Sequence, residues 1–182
     1  MRVFIAVDIN DSMIISFITK IQKELSATRS SDLRPVAPEN LHITLKFLGD
    51  IDDKMVDAVV ESIGGVEFTK FKIKLRGLGY FPGGGRVNVI WAGVKEGSDQ
   101  LRGLHSLVED NLSHLGFRRD AFSPHLTIAR VKSVRDKRSL LAAISGHSDT
   151  EIGEQWVDSL TVKKSTLLPS GPEYTNLLVR KF

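Results

Sequence analysis

The sequence predicts an α+β fold with pseudo-twofold character: two mostly antiparallel sheets facing each other across a groove, with helices on their outer faces. Three observations lead there. Short runs of alternating apolar and polar residues are interleaved with stretches that carry a helical apolar stripe. One strand motif, His42-Ile43-Thr44-Leu45, returns as His125-Leu126-Thr127-Ile128. The order strand, helix, motif strand, helix, strand also occurs twice, which divides the 182 residues into halves of about 1–80 and 86–182. A chain of this length buries most of its apolar surface as one domain.

Arg2 to Asp8 reads as the first strand. Asn10 or Asp11 then caps a helix to about Ala27, whose stripe is Met13, Phe17, Ile18, Ile21 and Leu25. Beyond the polar patch Thr28 to Asp32, Pro35 and Pro38 keep the chain extended as it enters the first motif strand. Gly49-Asp50 ends that strand, Asp52 or Asp53 caps a helix to about Ile63, and Gly64-Gly65 stops it. From Phe71 to Leu78 the chain alternates, with Phe71, Ile73 and Leu75 on one face and Lys72, Lys74 and Arg76 on the other.

Gly79 to Gly85 links the halves, as a hairpin turn or as a loop whose Tyr80 or Phe81 stacks on a nucleobase. Val87 to Val94 is a strand. A helix runs next from about Asp99 to Leu115, with Gly116 as its left-handed stop. After the second motif strand come a helix from Ser133 to Ile144, one or two strands from Ser148 to Leu168 broken near Gly153, a turn at Pro169 to Pro172, and a closing strand from Tyr174.

Composition narrows the chemistry. With no cysteine the chain has no disulfide, no thiolate metal site and no cysteine nucleophile. No apolar run approaches the roughly 20 residues that span a bilayer, and Asp8 interrupts the first apolar run too early for a signal peptide. A soluble, cytoplasmic, monomeric protein is expected. The net charge of +3 is mildly basic. Around the second motif Arg118, Arg119, Arg130, Lys132, Arg135, Lys137 and Arg138 outnumber Asp120 and Asp136, a balance that suits an RNA backbone as well as a solvated face.

In each motif the His and Thr share one face of a strand, about 7 Å apart, while Ile43 and Leu45, or Leu126 and Ile128, point into a core. Two such strands bring two imidazoles and two hydroxyls to one small polar ligand. By the same parity Lys46 joins His42 and Thr44 on the groove face and adds positive potential there. Arg130 points away from His125 unless a bulge re-aims it. The remaining histidines, His105, His114 and His147, have the setting of structural residues.

The doublet HITL and HLTI resembles the paired HxTx motifs of the two-histidine (2H) phosphoesterases. RVFIAVDI, HITLKFLGD, RGLGYFP, VIWAGV, SPHLTIARV and KKSTLLPSGPEY narrow the resemblance to the RNA 2′,3′-cyclic phosphodiesterases once named 2′-5′ RNA ligases, from Arg2 to about Tyr174. The resemblance implies the bilobal LigT-like fold. It also implies an RNA substrate ending in a 2′,3′-cyclic phosphate, such as a tRNA half, and no cofactor or metal. His42 would be the proton donor to the leaving 3′-oxygen and His125 the base that activates water, giving a 2′-phosphate. Thr44 and Thr127 would donate to the phosphate oxygens, and Arg130 belongs to the recognisable second motif. Relatives often carry Arg-Val-Ile-Trp where this chain has Asn88-Val89-Ile90-Trp91; Arg86, two residues earlier, could substitute.

The chemistry is consistent with the residue types. Two groups with ordinary pKa values near 6.5 can be one base and one acid around neutral pH, and hydroxyls stabilise charge developing at phosphorus. The rival readings are a zinc site on the two histidines, for which no further ligands lie at suitable spacing; a protein that only grips RNA ends; and a phosphodiesterase for a small cyclic nucleotide or an ADP-ribose cyclic phosphate. Ligation through a 2′-5′ bond is the reverse reaction in the same site.

Overall fold

A computed structural model describes all residues, Met1–Phe182. Nine strands and four α-helices succeed one another as β1 (Arg2–Asp8), α1 (Ser12–Ala27), β2 (Ser31–Pro35), β3 (His42–Asp50), α2 (Asp53–Gly64), β4 (Phe71–Gly83), β5 (Arg86–Glu96), α3 (Ser98–Leu112), β6 (His125–Val134), α4 (Lys137–Ser145), β7 (Glu151–Val157), β8 (Ser159–Leu168) and β9 (Gly171–Lys181). The first sheet has the order β3-β1-β8-β9 and the second β2-β6-β5-β4-β7. Every pairing is antiparallel.

Neither sheet is built from one half of the sequence. β4 leaves the first half to pair with β5 in the second sheet, and β8 returns from the second half to pair with β1. The exchange ties the halves together, and the buried side chains of both sheets join one apolar cluster of 36 residues.

The helices begin and end where local chemistry dictates. Asp11 caps α1 by accepting from the Ile14 N–H, and Asp52 caps α2 by accepting from the Met55 N–H. Gly116 takes φ +82° after a short 3-10 turn, Ser113–Leu115, which finishes α3. The buried face of α1 is Ile14, Ile18, Ile21, Gln22 and Leu25. Met13, expected in that stripe, is 78% exposed. The helix is rotated so that Gln22 turns inward and reaches the backbone of β6.

Four segments depart from the expected boundaries; the first is residues 79–83, read as part of the link between the halves, which continue β4 so that only Gly84 and Gly85 separate it from β5. Ser31–Pro35, read as a connector, is a strand on the edge of the second sheet, paired with β6. α4 starts at Lys137, because β6 runs on to Val134 and Asp136 supplies the cap by accepting from the Ser139 N–H. Gly153 lies inside β7 and breaks no strand; the break before β8 falls at Asp158. Gly153 matters for packing, since a Cβ there would meet Ile14 of α1 at 2.7 Å.

Candidate active site

Each motif strand holds its histidine in the same way. His42 Nδ1–H donates to the Asn40 carbonyl at 2.6 Å, and His125 Nδ1–H donates to the Ser123 carbonyl at 2.6 Å. A carbonyl only accepts, so the bond places the proton of a neutral ring on Nδ1 and leaves Nε2 with its lone pair. The acceptor lies two residues upstream both times. The chain enters β3 through the 3-10 turn Pro38–Asn40 and enters β6 through Ser123-Pro124. At His42, Nε2 also takes a hydrogen bond from the Thr44 hydroxyl at 2.9 Å.

Aromatic rings brace both imidazoles. Phe4 of β1 and Tyr174 of β9 lie 5.0 and 5.5 Å from His42, centroid to centroid. Phe81 of β4 stands edge-on to His125 at 5.0 Å, and Trp91 of β5 lies 6.4 Å from it. Trp91 crosses Gly79 on the neighbouring strand, where any Cβ would come within 2.3 Å of the indole. Thr127 is the direct partner of Trp91, so it shares this face with Phe81 and His125.

A β-bulge interrupts each motif strand at the same position. In β3 the partners run Ala6 with Thr44 and then Ile5 with Lys46, leaving Leu45 as the extra residue. In β6 they run Trp91 with Thr127 and then Ile90 with Ala129, leaving Ile128 extra. An extra residue reverses the parity of everything after it. Phe47 and Arg130, each five residues past its histidine, therefore return to the groove face, and both are exposed. Ile128 is held by two donors to its carbonyl: Val36 N–H at 2.9 Å and the Gln22 side-chain amide at 2.8 Å. Gln22 is turned inward on α1 to make that bond and a second one, to the Val36 carbonyl at 2.9 Å.

The first bulge corrects the expectation for Lys46. It is not on the groove face but buried beneath the sheet, where Nζ meets Glu109 Oε1 at 2.8 Å, the Arg118 carbonyl at 2.7 Å and Asp120 Oδ2 at 3.2 Å. Tyr80 is also displaced from the expected site: it pairs with the buried Ile90 and packs against the core, on the face opposite Phe81. Arg86 sits at the tip of the β4–β5 hairpin, opposite Gly83, and is exposed. Of the basic run, Arg119 pairs with Asp110, and Arg135 hydrogen-bonds the carbonyls of Arg29 and Ser31.

Residues outside the two HxTx motifs complete the groove. Asp8 is the register partner of His42 and forms a half-sheltered ion pair with Lys163 of β8 at 2.9 Å. Lys163 also donates to Asn176 Oδ1 at 2.8 Å, and the Thr161 hydroxyl donates to Asp8 at 3.1 Å. Burial lowers the pKa of His42; the Asn40 hydrogen bond and Asp8 oppose this, while Lys163 and Arg130 reinforce it. Burial raises the Tyr174 hydroxyl, and Arg130 opposes that. Arg130 of the second sheet thus reaches the neighbourhood of His42 and Tyr174 on the first, and β3 touches β6. The +5 spacing shared by Phe47 and Arg130 was a signal available in the sequence. Asp8 and Lys163 lie in the segments RVFIAVDI and KKSTLLPSGPEY, but no spacing there marks them as groove residues.

No group of three or more His, Asp or Glu side chains converges as a metal-ligand set. The arrangement offers two Nε2 atoms, two threonine hydroxyls, a guanidinium and aromatic walls, a set suited to proton transfer at a bound phosphate.

Comparison with known proteins agrees with this geometry. The family model described as LigT like phosphoesterase matches twice, over residues 9–91 and 93–174. An RNA 2′,3′-cyclic phosphodiesterase of Archaeoglobus fulgidus is 42% identical over 180 residues, covering 98% of this chain and 99% of that protein. The protein of the same description from Methanocaldococcus jannaschii is 35% identical and covers 96% of each chain. Among solved structures, one from Thermus thermophilus superposes with a TM-score of 0.83 at 25% identity, covering 100% of this chain and 97% of its own. E. coli LigT in apo form superposes with a TM-score of 0.75 at 24% identity, covering 99% and 96%. The duplicated match tracks the two motif-bearing halves, each with its own bulged strand and carbonyl-anchored histidine, and the chain belongs to the LigT-like phosphoesterase family.

Proposed function

We propose that the chain hydrolyses RNA 2′,3′-cyclic phosphodiester ends to 2′-phosphomonoesters without a metal ion, with His42 as proton donor and His125 as proton acceptor. The observation that carries this reading is the matched anchoring of both imidazoles, which presents Nε2 of each on facing sheets. His125 Nε2 removes a proton from water as its oxygen attacks phosphorus. The bond from phosphorus to the 3′-oxygen breaks, and His42 Nε2–H passes its proton to that oxygen. Each transfer is worth roughly 10²- to 10⁴-fold.

Burial lowers the pKa of His42 and so favours its neutral form in the free groove, consistent with the hydrogen bond that Thr44 donates to its Nε2. A phosphate anion reverses that balance: its charge favours the imidazolium, and it competes for the Thr44 hydroxyl. Thr44, Thr127 and Arg130 then hold the non-bridging oxygens. With a 5′-hydroxyl in place of water, the same steps join two RNA ends through a 2′-5′ bond. The names of the relatives support the RNA cyclic-end substrate. The reading extends to a monomer acting in the cytoplasm on ends such as those of tRNA halves; no helix is long and apolar enough to cross a membrane.

The test is hydrolysis of a short RNA with a 2′,3′-cyclic phosphate end, in excess chelator, by the wild type, His42→Ala and His125→Ala. Turnover to the 2′-phosphate that drops at least 10²-fold in each variant is expected. Turnover abolished by chelation, or a variant that retains full activity, overturns the mechanism.

A further inference from the structure

One row of residues crosses the groove face of the second sheet. Phe81, Val89, Arg130 and Arg34 are successive register partners on β4, β5, β6 and β2. Partners directly opposite share a face and stand about 4.5–5.5 Å apart. Arg34 and Arg130 therefore present two guanidiniums side by side, and like charges so placed are destabilising. The arginines that pair with carboxylates are Arg76, Arg102 and Arg119. Arg34 and Arg130 do not, and both are exposed.

The fold does not need Arg34 to hold β2 in place. That strand is secured by Arg135, which donates to the carbonyls of Arg29 and Ser31, and by the Val36 N–H on Ile128. A repulsive pair without structural return is offset by a ligand with two negative charges in sequence. β2 is the edge strand of its sheet, so no further strand pairs beyond Arg34, whereas on the other side of Arg130 the sheet continues into the aromatic wall of Phe81 and Trp91.

We propose that Arg34 forms a second phosphate subsite, binding the phosphodiester one nucleotide upstream of the cyclic end while Arg130 binds the cyclic phosphate itself. The polynucleotide then leaves the groove across β2. The pair of arginines distinguishes an oligonucleotide end from a cyclic mononucleotide, which has no upstream phosphate. The inference rests on the cyclic-phosphate reading of the site.

The test compares the full-length wild type, Arg34→Met and Arg34→Lys on two substrates: a 2′,3′-cyclic mononucleotide and a short single-stranded RNA ending in the same cyclic nucleotide. In Arg34→Met, KM for the RNA rises about tenfold, the worth of one charge-assisted contact, and this loss exceeds the loss on the mononucleotide by a similar factor. The slope of log kcat/KM against log salt for the RNA falls by about 0.7, one single-stranded phosphate contact. Arg34→Lys restores the slope and part of KM, since its point charge lacks the bidentate fork. Equal losses on both substrates, or an unchanged salt slope, overturn the proposal. Binding of the same RNA with a 3′-phosphate end, measured against salt, separates the two readings. If the wild type hydrolyses neither substrate, the hydrolase reading fails; a salt-dependent affinity lost in Arg34→Met still supports the subsite, and its absence overturns it.

Discussion

Replacing Lys46 with Met removes three donors from the interior and adds almost no change in shape. Lys46 and Glu109 are 1% and 3% exposed and 2.8 Å apart. Without the ammonium, the Glu109 carboxylate keeps only the Asp120 N–H at 3.1 Å and His105 Nε2 at 3.3 Å. Breaking a buried pair by deleting one partner costs about 3–5 kcal/mol. Asp120 is 57% exposed, so its share is small. At about 2–4 °C per kcal/mol for a chain of this size, the melting temperature falls by roughly 6–20 °C.

The same network anchors the segment that delivers His125. Arg118 and Asp120 are bonded to Lys46 and Glu109, and Phe122 stacks on His105 at 4.7 Å. Activity assayed well below the transition is therefore also expected to fall. Burial lowers the pKa of His105, Glu109 opposes this and Lys46 reinforces it, so losing Lys46 raises that pKa. In the wild type the lowered pKa of His105 costs stability as pH falls, and a variant in which that pKa is higher loses less, so the deficit of Lys46→Met shrinks as pH falls through the histidine range. The double variant Lys46→Met/Glu109→Leu has no buried charge left and regains most of the loss. Thermal and denaturant unfolding decide the matter: a single-variant loss under about 1 kcal/mol, or a double variant no more stable than the single, refutes the buried-pair account.

Two further outcomes test how the site is tuned. Asp8 raises the His42 pKa against the effect of burial, so Asp8→Asn lowers it further and also frees Lys163 to act in the same direction. If His42 is the donor, the basic limb of the kcat/KM profile moves to lower pH; movement of the acidic limb instead would assign His42 as the base. Gln22→Leu removes both amide donations, including the one to the bulge carbonyl of Ile128. Stability drops by about 2 kcal/mol, two hydrogen bonds at roughly 1 kcal/mol each. KM for cyclic-ended RNA increases as Arg130 loses its fixed direction; a stability loss with unchanged KM would show that the bulge holds without Gln22.

Much of the fold was legible because its signals are local. Asp11, Asp52 and Gly116 mark helix ends by their own side chains or backbone freedom, and β4 alternates as its residues prescribe. β2 was not legible. Ser31–Pro35 is short and polar, and becomes a strand only because β6 offers it an edge. The inward turn of Gln22 likewise depends on a carbonyl that a distant strand presents.

The candidate site divides along the same line. The sequence alone places His42 with Thr44 and His125 with Thr127 on one face of each strand, because a period of two holds over three residues whatever the partner. It also orients the chain that enters each strand, through Pro38 and Pro124. Beyond the two motifs, the direction of each side chain was decided in three dimensions. A bulge is a mismatch in length between two paired strands, and no property of Leu45 or Ile128 taken singly announces it. That mismatch carries Lys46 under the sheet to Glu109 and brings Arg130 up beside Arg34, so the charges that serve the core and those that face the groove are sorted by register.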